Sequence, residues 1–181
     1  MPRIAPATFL KLISSRPEQK LRDLLAYERP GEGYDGHRNL RLAVRRGVAD
    51  GSLDGLHDAL ERIPVLEERR RALRFEPTIA KRLRAEGTQF IAPPQKLWES
   101  PRRQFSIDVY PDVGIQQGNH QLFAFLYFHG SIRPSRTTAG ALIALATRAL
   151  QPMMSEADEI AVIDVTGNKT FKAVYGLSRD L

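Results

Sequence analysis

Hydrophobic and polar positions alternate most clearly over residues 104–128, QFSIDVYPDVGIQQGNHQLFAFLYF. Phe105, Ile107 and Val109 alternate with Ser106, Asp108 and Tyr110, the period of a half-buried strand. Pro111-Asp112 interrupts the pattern, Val113 and Ile115 resume it, and Gln116-Gln117-Gly118-Asn119 supplies turn chemistry. Residues 122–128 are apolar on both faces, which predicts a central strand covered from both sides. The stretch is expected to form an antiparallel hairpin in which 105–109 pairs with 122–128.

Before this stretch the period is helical. A short helix is predicted over 7–14, with Phe9, Leu10 and Ile13 on one side. A second follows Pro17, with Leu21, Leu24 and Leu25, and 29–33 reads as a loop. A third covers 36–49, with Leu40, Ala43, Val44 and Val48 on its apolar side and Arg38, Arg41 and Arg45 together on another. Leu53, Leu56, Leu60 and Ile63 mark a fourth helix. Pro64 opens a fifth, with Glu67 and Glu68 in its first turns and Arg69, Arg70, Arg71 and Arg74 after them. Pro77 is expected to break or kink it, with a further turn or two to Gly87.

Residues 91–103 hold Pro93, Pro94, Pro101 and the only tryptophan, Trp98, and read as a boundary. Beyond 128, Ser135 is a good N-cap for a helix over 136–150, whose alanine-rich, nearly all-round apolar sequence predicts burial of Leu142 and Leu145 against a sheet. Residues 160–165 and 171–175 read as strands joined by the turn 166–169. The expected fold is α+β. Its parts are a helical basic region over 1–90, a Pro-rich linker over 91–103, and a mixed domain over 104–181 in the order strand, strand, helix, strand, strand.

Charge adds a partner class to this picture. Of the 27 Lys+Arg, 21 fall within 1–103 beside 14 acids, a net of +7, whereas 104–181 carries a net of −1. A basic half next to a neutral half points to nucleic acid or another polyanion, or else to a solvated arginine-rich helical face. No apolar run reaches 18 residues, no secretory leader is evident, and there is no cysteine, so a cytoplasmic protein with no membrane partner is expected.

No hydrolase elbow, phosphate-binding loop or dinucleotide fingerprint is present, and no cofactor is expected. His37, His57, His120 and His129 show no metal-ligand spacing; His129, directly after the apolar strand, is the one to test. The helices flanking 50–52 could form a helix-turn-helix. The second, however, carries Asp54, Asp58 and Glu61 against Arg62, and phosphate would repel it.

A strand ending in Pro111-Asp112, a turn, a second apolar strand, a helix and two more strands resembles the core of the PD-(D/E)XK, or restriction-endonuclease-like, families. The resemblance implies that Asp112 is a ligand for a divalent metal, which would activate water against a phosphodiester. It also implies an acid and a lysine two residues apart on the second strand, and residues 122–128 contain neither. The site implied is therefore degenerate, with Asp112 vestigial. Asp108, on the same strand face as Asp112, and Asp164, with Lys172 opposite it across a turn, could form a migrated site or merely an exposed ion pair.

The leading expectation is a non-enzymatic protein that binds nucleic acid loosely through Arg38, Arg41, Arg45, Arg69, Arg70, Arg74 and Lys81. One alternative is a metal-dependent nuclease with a migrated site. The other is an interaction or immunity-type protein with an acidic protein partner.

Overall fold

A computed structural model describes residues 3–20, 22, 37–84 and 88–172. The fold is α+β. Its helices include α1 (Pro6–Ser14), α2 (Arg38–Gly47), α3 (Leu56–Glu61), α4 (Leu66–Leu83) and α5 (Arg136–Leu150). Its strands are β1 (Arg3–Ile4), β2 (Gln89–Ile91), β3 (Lys96–Glu99), β4 (Ser106–Val109), β5 (Val113–Gln117), β6 (His120–Tyr127), β7 (Glu159–Asp164) and β8 (Lys169–Lys172). They form a five-stranded sheet in the order β2-β5-β6-β7-β8 and a three-stranded sheet in the order β1-β4-β3. β6 and β7 run parallel through the α5 crossover; the other neighbours of the large sheet are antiparallel.

The large sheet is covered on both faces, as the apolar run 122–128 requires. On one face, Leu40 and Val44 of α2, Leu60 of α3 and Ile79 and Leu83 of α4 join one cluster with Val113, Leu126 and Ile163. On the other, Leu10 of α1 and Leu142 and Leu150 of α5 pack with Phe125, Tyr127 and Val162, and with Ile107 and Val109 of β4. Successive β6 residues thus feed opposite cores, because side chains alternate across a strand. Gly114 is required where β5 passes β2: a Cβ there would stand 2.7 Å from the Ile91 carbonyl oxygen.

Four features differ from the sequence reading. The residues expected to be a linker contain β3 and the end of β2, and helices of the basic region share a hydrophobic cluster with the sheet. The hairpin is β5–β6, closed by Gly118-Asn119 with Gly118 at φ +59°. Residues 106–109 pair instead with β1 and β3 of the small sheet, since Pro111 has no N–H to continue a ladder and the chain changes sheets there. Pro77 lies inside α4, which continues to Leu83. Pro77 faces solvent, and Ile79 and Leu83 beyond it are buried, so packing holds the turn that proline weakens.

Ser135 caps α5 in a reciprocal capping box with Thr138. Leu142 is fully buried, but Leu145 is only half-buried, and Ala141, Ala144 and Thr147 face solvent. Leu21, Leu24, Leu25, the 29–33 loop, Gly87 and residues 173–175 lie outside the described residues. Among the described residues no helix is long and apolar enough to cross a membrane.

Candidate functional site: an arginine-lined cleft and a basic helix

Between β4 and β5 the chain passes through Tyr110-Pro111-Asp112. The Asp112 N–H donates to the Ala124 carbonyl at 2.8 Å, and its Oδ2 accepts from the Leu126 N–H at 2.8 Å. The side chain thereby replaces the carbonyl that a longer β5 would offer to β6. Its Oδ1 faces α2, where Arg45 Nη2 donates at 2.8 Å and Arg41 Nε lies at 3.7 Å. Arg41 and Arg45 are one helical turn apart, so α2 presents both to the same carboxylate. Arg45 also donates to the Tyr110 carbonyl at 3.0 Å, and its guanidinium sits 4.0 Å above the Tyr110 ring. Burial pushes the Asp112 carboxyl up from its ordinary value, while Arg41, Arg45 and the Leu126 N–H pull it back down.

This arrangement relocates three of the expected site residues. Asp112 is 3% exposed, and both its oxygens accept from protein donors, so its observed occupation is structural. Arg41 is buried, and Arg45 points inward, rather than both standing on a solvent face beside Arg38. Nothing in the local pattern of α2 reveals this, because Asp112 lies 67 residues after Arg45.

Above the knot is a cleft of about 450 Å³ lined by Arg3, Arg38, Arg41, Arg45, Asp108 and Asp112, with Ile4, Leu42 and Phe125 among its apolar walls. The start of α1, from Ala5 to Thr8, forms one side. Asp108 Oδ2 pairs with Arg3 at 2.8 Å, and its Oδ1 accepts from Gln95 at 2.9 Å. Arg38 is exposed at the rim and makes no ion pair among the described residues. Arg3 joins this group only because β1 pairs with β4, a contact that no local pattern marks.

The remaining predicted residues lie on α4. Arg70, Arg74 and Lys81 are exposed, at spacings that place them in one row along the solvent side with Pro77 between them, and exposed Arg84 follows directly after the helix. Arg70 makes an exposed contact with Glu67 at 3.3 Å. Arg69 stands apart: it is half-buried, and its Nε donates to the Ile63 carbonyl at 2.9 Å. It caps the α3–α4 connection instead of reaching outward. Exposed Arg71 and Arg84, which the sequence reading did not single out as site residues, add to the basic surface.

The other acids are dispersed. Asp164 is buried, and its Oδ1 accepts from Thr166 Oγ1 at 2.9 Å and the Gly167 N–H at 2.8 Å, which fixes the β7–β8 turn. Lys169, not Lys172, lies opposite Asp164, and Lys172 pairs with Glu159 at 2.8 Å. Among the described residues no three His, Cys, Asp or Glu side chains are grouped to hold a metal ion. His129 meets His37 edge-on at 4.8 Å between ring centroids, beside Phe128 and Tyr127. Burial raises the Tyr127 hydroxyl pKa, and Asp164 adds to the rise; that hydroxyl donates to the Ile132 carbonyl at 2.7 Å. Trp98 packs against Phe105, ring centroids 5.9 Å apart, at the edge of the second core. No family model, curated protein or solved structure matches the chain.

Proposed function

We propose that this chain is a non-enzymatic protein that binds nucleic acid loosely through the phosphate backbone, with the solvent side of α4 as the contact surface. The observation that carries this reading is the row Arg70, Arg74 and Lys81, exposed on one side of an 18-residue helix. Cations spaced by whole turns can each meet a separate phosphate without reading a base edge. The net of +7 over 1–103 supplies a long-range attraction in the same direction.

The nuclease reading has less behind it. Asp112 is held by Arg45 and Leu126, Asp108 by Arg3 and Gln95, and Asp164 by its own turn. An acidic protein could meet the same helix, and competition separates the two. In a fluorescence-anisotropy titration, labelled duplexes of unrelated sequence should bind with equal affinity, in the range of roughly 10⁻⁴–10⁻⁶ M near physiological salt. Unlabelled random duplex should displace them. Absence of binding even at low salt would reject the nucleic-acid reading and favour the acidic-protein partner.

A further inference from the structure

We propose that the nucleic-acid surface of α4 continues onto the β7–β8 turn, where Lys169 is a further phosphate contact and Arg82 is the residue that positions it. This inference rests on the reading of α4 as a backbone-binding helix. It brings a residue of 104–181, the part with a net charge of −1, into the contact.

The turn is docked on the flank of α4. Arg82 Nη2 donates to both the Asn168 carbonyl and the Asn168 side-chain oxygen. Arg82 directly follows Lys81, about 100° further round the helix. The flank that holds the turn therefore adjoins the exposed row Arg70, Arg74 and Lys81. Exposed Arg71, about three helical turns before Arg82, lies on that same flank.

The turn is also fixed from within. Asp164 is buried, and its Oδ1 accepts from Thr166 Oγ1 and the Gly167 N–H. Asn168 adopts φ +53°, a left-handed conformation that asparagine tolerates better than most residues. Lys169 comes next in the chain, so its backbone is placed by Asp164 inside the turn and by Arg82 outside it.

The Lys169 side chain is available for an anion. It is exposed and makes no hydrogen bond or ion pair among the described residues. Its Cα partner on β7 is Asp164, whose Oδ1 is engaged with the turn. Lys172, at the other end of β8, is by contrast bound to Glu159 at 2.8 Å. An ammonium is a point charge on a flexible stem, so it meets a phosphate beside the row without a fixed fork geometry.

The test is the slope of log affinity for labelled duplex against log salt, between about 50 and 200 mM, for wild type, Lys169→Gln and Lys96→Gln. Lys96 is exposed on β3 in the small sheet, which packs beyond the opposite face of the large sheet. Its variant removes the same unit of charge far from the proposed contact. Lys169→Gln should be shallower by about 0.9, the share of one phosphate, and Lys96→Gln should match wild type. Arg82→Gln should weaken binding in the wild-type background and have less effect in the Lys169→Gln background. In the Arg70→Gln background its effect should be undiminished, so the coupling reports positioning of Lys169 and not a general loss of stability. A wild-type slope for Lys169→Gln, or equal losses for Lys169→Gln and Lys96→Gln, would overturn the proposal. The α4 reading would survive that result if removal of Arg70, Arg74 and Lys81 still flattened the slope. Strictly additive effects of Arg82→Gln and Lys169→Gln would reject the positioning role, and no duplex binding at low salt would overturn both readings together.

Discussion

Asp112 accepts from the Leu126 N–H with one oxygen and from Arg45 with the other, so a single side chain links β6 to α2. Removing it leaves Arg41 and Arg45 facing a buried gap and the Leu126 N–H without its acceptor. Asp112→Ala should therefore destabilise the protein by about 3–5 kcal/mol, the range for breaking a buried charge pair, measured by urea unfolding. A loss no larger than that of an ordinary surface substitution would contradict the structural role. Two histidines add opposite pH dependences. Burial, with Arg71 nearby, lowers the His37 pKa from 6.5, against a smaller upward pull from Glu68. The unfolded chain then binds the proton more readily, so this contribution is present above pH 6.5 and is lost as pH falls through the lower folded value. The hydrogen bond to Glu76 raises the pKa of exposed His57, so its contribution is present below pH 6.5 and fades as pH rises through the folded value. His37→Gln should flatten the acid-side decline of stability in unfolding curves taken across this window. An unchanged acid-side slope would assign that decline to other groups.

At the scale of elements, local pattern places most helices and strands but not their partners. The capping residue Ser135, the buried stripe of α2 and the two-faced apolar run of β6 are each written in a few neighbouring residues. The sheet that β4 joins is not, because its partners are β1, about a hundred residues earlier in the chain, and β3 within the proline-rich stretch. Pro77 is a strong local signal that tertiary packing outweighs, with Ile79 and Leu83 anchoring the turn beyond it. The candidate site follows the same division. The basic face of α4 follows from helical periodicity, whereas the inward turn of Arg41 and Arg45 depends on a distant carboxylate. α5 offers a test of the packing: Leu142 is fully buried between the helix and the sheet. Leu142→Ala should cost about 2–5 kcal/mol, and Leu145→Ala less, because Leu145 already meets solvent. Equal losses for the two would contradict the helix orientation.

Across the whole molecule, the net of +7 over residues 1–103 is used in two ways. Arg41 and Arg45 turn inward around Asp112, whereas Arg70, Arg74 and Lys81 stand outward on α4. Backbone binding by the outward part makes a quantitative demand, because every neutralised phosphate releases counterions and steepens the dependence of affinity on salt. The decisive measurement is the slope of log affinity for labelled duplex against log salt, between about 50 and 200 mM, for wild type and for the combined Arg70→Gln, Arg74→Gln and Lys81→Gln variant. All three side chains are exposed, so the variant should fold as wild type does. Its slope should be shallower by roughly 2 to 3, about 0.9 for each lost phosphate contact. Two identical slopes from two folded proteins would contradict the assignment of α4 as the nucleic-acid surface.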